Sequence, residues 1–148
     1  MNVKIQHYNQ IERDVLYDLF QLRSLVFVVE QNCPYLDLDG KDREGFHAFA
    51  TIDNKIIGTA RILPPDISYP GSCSIGRIAI HAHHRHGKRG SQMMTAIMDF
   101  VSKEFPNTPV TISAQEYLIG FYEQFGFKKT KERYLEDAIP HVKMKYVP

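Results

Sequence analysis

Two neighbouring segments decide the fold of this chain: Ser74-Ile75-Gly76-Arg77-Ile78-Ala79-Ile80 and Arg85-His86-Gly87-Lys88-Arg89-Gly90-Ser91. The first is an apolar run typical of a strand, and the second is a tight basic turn. A helix is expected next, because five apolar residues from Met93 to Val101 recur at helical spacing. The start of a helix has unpaired backbone N–H groups and a partial positive charge. Glycines and basic side chains at such a point predict a pyrophosphate site.

Length and composition set the boundaries for any function. The chain has 148 residues, of which 43% are hydrophobic and 24% charged, and its net charge is +1. These values predict one globular domain, residues 1–148, without the basic surface that a nucleic acid or a membrane would require. No apolar run reaches the ~20 residues of a membrane span. Cys33 and Cys73 lack a metal or redox spacing, and the N-terminal residues lack the apolar core of a signal peptide, so a cytoplasmic location is expected.

Alternation and turn residues predict a mixed α/β order along the chain. Strands are predicted at residues 3–8, 46–52, 55–63, 73–80, 110–114 and 141–147. Helices are predicted at about residues 11–29, from the basic turn to about residue 105, and at residues 117–125. Asp53-Asn54 suits a hairpin turn, and Gly126 suits the left-handed residue that ends a helix.

The first predicted helix carries two charges in an apolar row. Arg23 and Glu30 occupy positions whose neighbours at helical spacing are apolar. They are two turns apart, ~10 Å along the axis, which is too far for a direct ion pair. A charge on a buried face is costly unless it is paired, so a ligand pocket could supply the partners. The alternative is that both side chains lie at the helix edge and reach water.

The acidic segment that follows this helix has residue types that could bind a cation. Asp37, Asp39, Asp42, Glu44 and His47 lack the spacing of an EF-hand. We therefore expect a solvated acidic loop, which could also flank the entry path of a cationic amine. The histidines between residues 81 and 86 favour a phosphate-proximal basic turn over a metal site. No metal is predicted.

Three motifs in this order resemble the GNAT acetyltransferase superfamily over essentially the whole chain. Arg85 and Gly90 match the first and last positions of the loop Q/R-x-x-G-x-G/A, with Lys88 at the middle glycine. Tyr122 followed by Gly126-Phe127 resembles the later motif of a tyrosine on a short helix. The run from Arg23 to Gln31, with Cys33-Pro34-Tyr35 and Ile139-Pro140-His141, resembles the ElaA-like branch.

This resemblance implies an α/β GNAT fold. That fold has a mixed, mostly antiparallel twisted sheet of about six to seven strands, about four flanking helices, and splayed middle strands that hold acyl-CoA. It also implies acetyl-CoA as co-substrate and N-acetyl transfer to an amine of a small molecule or a peptide. A homodimer is compatible with it.

Residue roles follow from the matched positions. Tyr122 is expected to be the general acid, and Glu30 is the candidate base, directly or through water. Arg23, Glu30 and Arg77 are expected at the acceptor pocket. The residues expected to bind the cofactor are Ile78, Ala79, Ile80, Arg85, His86, Gly87, Lys88, Arg89, Gly90, Ser91, Gln115 and Tyr122.

Three other functions remain open at this point. A non-catalytic acyl-CoA sensor would keep the phosphate turn and lack turnover. An acyltransferase for a longer acyl group would share the fold, because the fold does not determine the acyl chain. A nucleic-acid-binding module is the least favoured, because the basic residues are confined to one short turn.

Overall fold

Seven strands form one sheet in the computed structural model, which describes all residues from 1 to 148. The order across the sheet is β1-β2-β3-β4-β5-β7-β6. The strands are β1 Asn2–His7, β2 Phe46–Ile52, β3 Lys55–Leu63, β4 Cys73–Ile80, β5 Val110–Gln115, β6 Lys128–Glu136 and β7 Ile139–Tyr146. All neighbouring pairs are antiparallel except β4 and β5, which are parallel. The predicted fold class is confirmed, and its seventh strand is β6, which the sequence patterns did not predict.

Three α-helices flank the sheet, and the first changes its winding before it ends. They are α1 Arg13–Arg23, α2 Arg89–Glu104 and α3 Ile119–Glu123. A π-helix, Ser24–Glu30, continues α1, with main-chain bonds from Gln31 to Val26 and from Cys33 to Val28. The prediction of one regular helix to residue 29 was therefore wrong after Arg23. The wider turn moves every later residue to a new angular position.

Turn residues behave as their chemistry predicts. Asp53 and Asn54 have φ of 50° and 61°, as a hairpin turn with two left-handed residues requires. Gly126 has φ of 88° directly after α3, which confirms the predicted helix stop.

The larger core lies between the sheet and α2. Met93, Met94, Ile97 and Val101 are buried on one face of α2 and pack on the apolar face of the strands. A smaller cluster of Leu22, Val26 and Ala79 lies on the other side, where α1 and the π-helix cross the sheet. Helices on both faces leave the carboxyl ends of the parallel strands β4 and β5 as the open end of the molecule. None of the helices is long and apolar enough to cross a membrane.

Candidate active site

A gap opens between the two parallel strands in the middle of the sheet. β4 and β5 pair only at Cys73 with Val110 and at Ser74 with Thr111. Beyond Ser74, β4 stays paired with β3 on one side and faces no strand on the other. Main-chain groups on that unpaired edge have no strand partner and can bind a ligand, except the oxygen of Ile80, which accepts from Nε of Arg85. Ile78, Ala79 and Ile80 lie on this part of β4.

The basic turn ends at the start of α2, as predicted, and its backbone conformation is unusual. Gly87 and Lys88 are both left-handed, with φ of 69° and 57°. Lys88 therefore adopts a conformation that a glycine would take without strain. No side chain caps α2, so the amide groups of its first turn remain available to an anion.

The side chains of the turn fold back on the turn itself. Nη1 of Arg89 donates to the main-chain oxygen of His84 at 3.3 Å and lies at the same distance from Nε2 of His86. The rings of His81 and His84 meet edge to face, with centroids 5.8 Å apart. No group of three or more metal-ligating side chains is assembled anywhere in the chain. The turn thus places the charges of Lys88 and Arg89, which have no carboxylate partner, next to the open helix start.

Glu30 and Arg85 form an ion pair, which corrects the expectation that Glu30 has no partner. The guanidinium of Arg85 donates two hydrogen bonds to the Glu30 carboxylate, and its Nε donates to the main-chain oxygen of Ile80 at 2.8 Å. The hydrogen bond from Arg85 holds the pKa of Glu30 below its ordinary value. Arg85 therefore ties the last residue of the π-helix to the end of β4. Its guanidinium is occupied at the point where the sequence predicts a phosphate contact.

Arg23 also has partners, and it lies on a different face from Glu30. Its side chain is 0% exposed, whereas Glu30 is on the surface. Arg23 donates from Nε to Asp37 at 2.9 Å and from Nη1 to Asp42 at 2.6 Å. The expectation of a solvated acidic loop was therefore wrong for Asp37 and Asp42, which are buried. A direct contact of Arg23 with an acceptor is not available in this arrangement.

Six side chains close into a ring of alternating charge, called the charge ring below. Its members come from α1, the loop after the π-helix, β3 and β4. In order, the N–O contacts are Arg23–Asp37 at 2.9 Å, Asp37–Arg77 at 2.7 Å, Arg77–Asp39 at 3.4 Å, Asp39–Arg61 at 2.7 Å, Arg61–Asp42 at 3.0 Å and Asp42–Arg23 at 2.6 Å. Three positive and three negative charges cancel, so the ring adds no net charge to the acceptor side.

Arg77 is the most exposed arginine of the charge ring. Its guanidinium lies over the ring of Tyr35, 5.7 Å from the centroid, and donates to the side chain and main-chain oxygen of Asp37. Its backbone is left-handed, with φ of 53°, which is uncommon for a residue other than glycine. The structure thus places the Arg77 side chain on the α1 side of β4, facing the acidic loop.

Tyr122 is the buried residue of the short helix α3. It is 8% exposed and packs edge to face against Phe121 and Phe127. Burial raises the pKa of its phenol to about 12, and no side-chain hydrogen bond of the chain involves its hydroxyl. A Cβ atom at Gly90 would be 3.9 Å from the Phe121 ring, so α3 lies beside the start of α2. Gln115, at the end of β5, pairs with His141 of β7.

Comparison with known proteins agrees with this arrangement. A family model described as Acetyltransferase (GNAT) domain matches residues 23–148. Protein ElaA of Escherichia coli (strain K12) is 39% identical over 140 residues, covering 93% of this chain and 91% of that protein. The crystal structure of an acyl-CoA N-acyltransferase from Pseudomonas aeruginosa matches with a TM-score of 0.92 and 35% identity, covering 99% of this chain and 100% of that one. The crystal structure of Escherichia coli ElaA matches with a TM-score of 0.91 and 36% identity, with 98% of each chain covered.

The fold is therefore that of the acyl-CoA N-acyltransferases. The chain belongs to the GNAT acetyltransferase family, in its ElaA-like branch.

Proposed function

We propose that this chain takes the acetyl group from acetyl-CoA and transfers it directly to an amine of a small molecule or a peptide. The gap between β4 and β5, with the uncapped start of α2 beside it, is the observation that carries this proposal. An unpaired strand edge suits the amide groups of an extended thioester arm, and an open helix start suits its pyrophosphate.

The residues that border the gap are the ones we expect to hold the co-substrate. The backbone of Ile78–Ile80 would bind the thioester arm, and the turn from His86 to Ser91 would hold the pyrophosphate through main-chain N–H groups. Gln115 and Tyr122 would complete the pocket from the β5 side. Acetyl-CoA supplies an activated acyl group, so the chain itself has to move only two protons.

Tyr122 has the properties of the proton donor. Its phenol is protonated at neutral pH, as an ordinary tyrosine is, and burial raises its pKa further to about 12. A thiolate leaving group needs one proton, and a hydroxyl without an internal partner is free to give it.

Glu30 is the proposed base at the amine, directly or through one water molecule. Its carboxylate is ionised at neutral pH, as an ordinary glutamate is, and the hydrogen bond from Arg85 lowers its pKa further. The C–N bond replaces the C–S bond, the amine proton goes to Glu30, and the Tyr122 proton goes to sulfur. Arg23 and Arg77 support the acceptor side through the charge ring.

Direct transfer is favoured over an acyl-enzyme because neither cysteine suits a nucleophile. Burial raises the pKa of Cys73 to about 11. The pKa of Cys33 is raised as well, first by desolvation and then by the charge of Asp137. A covalent route needs a thiolate, and both environments disfavour it.

The test is thiol release from acetyl-CoA across small amines, polyamines and peptide N-termini, with octanoyl-CoA as a second donor. Release that requires both acetyl-CoA and an amine supports the proposal. Preferred release from octanoyl-CoA would indicate a longer-chain acyltransferase instead. Coenzyme A binding without release from any pair would indicate a sensor.

A further inference from the structure

The strand that borders the gap carries a bulge at the point where it turns away from β5. Arg61 of β3 pairs with Gly76, and Thr59 pairs with Ala79. Arg77 and Ile78 therefore stand opposite Ala60 alone, which is a β-bulge. A bulge bends its strand and increases the local twist. It lies three residues beyond the last β4–β5 pair at Ser74, within the segment that faces the gap.

The bulge depends on a strained residue. Arg77 has φ of 53°, where a side chain with a Cβ atom is disfavoured. Such conformations persist only where the surroundings hold them. A glycine would adopt this conformation without strain, but Gly76 comes one residue too early to do so.

The charge ring holds Arg77 from several directions at once. Asp37 accepts from Nε of Arg77 at 2.7 Å and from Nε of Arg23 at 2.9 Å, and its main-chain oxygen accepts from both guanidinium groups. Asp39 binds Arg61 bidentately and also reaches Arg77. The two strands at the bulge thus each place an arginine in the same ring, and the end of α1 supplies the third.

A purely stabilising role would not require charges in this place. Buried ion pairs are close to neutral in stability compared with well-packed apolar residues of similar volume. Their hydrogen bonds do, however, define direction as well as distance, especially at the planar guanidinium.

We propose that the charge ring is a positioning device, which holds the β4 bulge in its left-handed conformation and so keeps the gap between β4 and β5 in the shape that binds acyl-CoA. Arg77 and Asp37 are its central positioning residues. The inference rests on the proposed function for the identity of the ligand, but the conformational part concerns the apo protein alone.

The experiment compares Arg77→Ala with Arg77→Gly. Both variants lose every contact of the Arg77 side chain, but only glycine adopts a φ near 53° without strain. Titration calorimetry measures coenzyme A affinity, and thermal melting measures stability. We expect Arg77→Ala to bind coenzyme A about tenfold more weakly than wild type. Arg77→Gly should recover most of that loss and melt at a higher temperature than Arg77→Ala.

A second pair of variants tests the same inference if Arg77→Ala does not fold. Asp37→Asn retains Arg77 but weakens the hydrogen bond and the charge that hold the Arg77 side chain in place. Coenzyme A affinity should therefore fall. The double variant Asp37→Asn with Arg77→Gly should bind more tightly than Asp37→Asn alone. Asp99→Asn, which removes an exposed carboxylate paired with Lys103 on α2, is the control for charge change and should match wild type.

Equal affinities and equal melting temperatures for the alanine and glycine variants would overturn the inference. So would an unchanged affinity in Asp37→Asn. A wild-type protein that does not bind coenzyme A would contradict the proposed function instead. In that case the melting temperatures of Asp37→Asn with and without Arg77→Gly still test whether the ring holds the bulge.

Discussion

Glu30 and Arg85, which are 55 residues apart in the sequence, face each other as a bidentate ion pair with N–O distances of 2.7 and 2.5 Å. The pair joins the end of the π-helix to the residue that opens the phosphate turn. It therefore links the proposed base to the proposed cofactor site. A substitution at either residue should therefore change the ionisation or the position of the other.

Replacing Arg85 should change the pH dependence of the reaction. Arg85→Gln removes the hydrogen bond that lowers the pKa of Glu30, so that pKa should rise. If Glu30 is the base, the acidic limb of the profile of kcat against pH moves to higher pH. The profile is measured at saturating acetyl-CoA, so that weaker cofactor binding does not interfere.

Glu30→Gln is the matching variant for this prediction. It should lower turnover by roughly 10²-fold or more and flatten the acidic limb, because the titrating group is gone. An acidic limb that is identical in wild type and Arg85→Gln would remove Glu30 from the catalytic role.

Loss of the Tyr122 hydroxyl should affect turnover alone. We expect Tyr122→Phe to lower kcat by roughly 10²–10⁴-fold, because the leaving thiolate loses its proton donor. Coenzyme A affinity and the melting temperature should stay near wild type, since the hydroxyl makes no hydrogen bond within the chain and the ring packing is kept. Steady-state kinetics, calorimetry and melting on one preparation separate these effects. Wild-type turnover in this variant would make Tyr122 a packing residue only.

A side chain at Gly90 should block the phosphate site without unfolding the protein. A Cβ atom there meets nothing nearer than the Phe121 ring at 3.9 Å, which is ordinary contact. Gly90→Val should therefore weaken coenzyme A binding far more than it lowers the melting temperature. The comparison is Lys88→Gly, which relieves a left-handed φ of 57° and should keep the backbone cradle while losing one charge. Unchanged affinity in Gly90→Val would contradict the assignment of the turn.

The charge ring should make stability depend on acidic pH. Burial alone would raise the pKa of Asp39, but the hydrogen bonds from Arg61 and the Lys41 amide, with the nearby arginine charges, lower it overall. A lowered pKa contributes stability that is complete above the unfolded value of about 3.9 and is lost as pH falls below it. The melting-temperature difference between wild type and Asp39→Asn should thus be constant from pH 7 to about 5 and shrink below about 4. If the difference in melting temperature between wild type and Asp39→Asn stayed the same down to about pH 3, the ionised Asp39 would not be the source of the stability.

The strands with an apolar pattern could be predicted from the sequence, but β6 could not. Residues 46–52, 55–63 and 73–80 were predicted with the bounds that the structure has. β6, Lys128–Glu136, is an edge strand whose residues are mostly exposed. Its sequence therefore shows almost no alternation of apolar and polar residues. Its pairing with β7 supplies what the local sequence does not indicate.

The ion-pair partners of Arg23 and Glu30 could not be predicted from the local sequence pattern either. The helical spacing identified both charges, but the π-helix after Arg23 rotates Glu30 onto a different face. Their partners are 14 and 55 residues away, across loops whose path depends on tertiary packing. The acidic spacing of Asp37, Asp39 and Asp42 was the available signal for the charge ring. That spacing predicts a solvated loop when taken alone, because nothing in the sequence shows that three arginines contact these carboxylates.

The short pairing of β4 with β5 has a mechanical consequence. Two residue pairs join a plate of four strands, β1 to β4, to a plate of three, β5 to β7. Few main-chain hydrogen bonds cross that short junction, so the two plates are held together mainly by the apolar core that they share. A donor bound in the gap would contact both plates and so add bonds where the sheet itself has few.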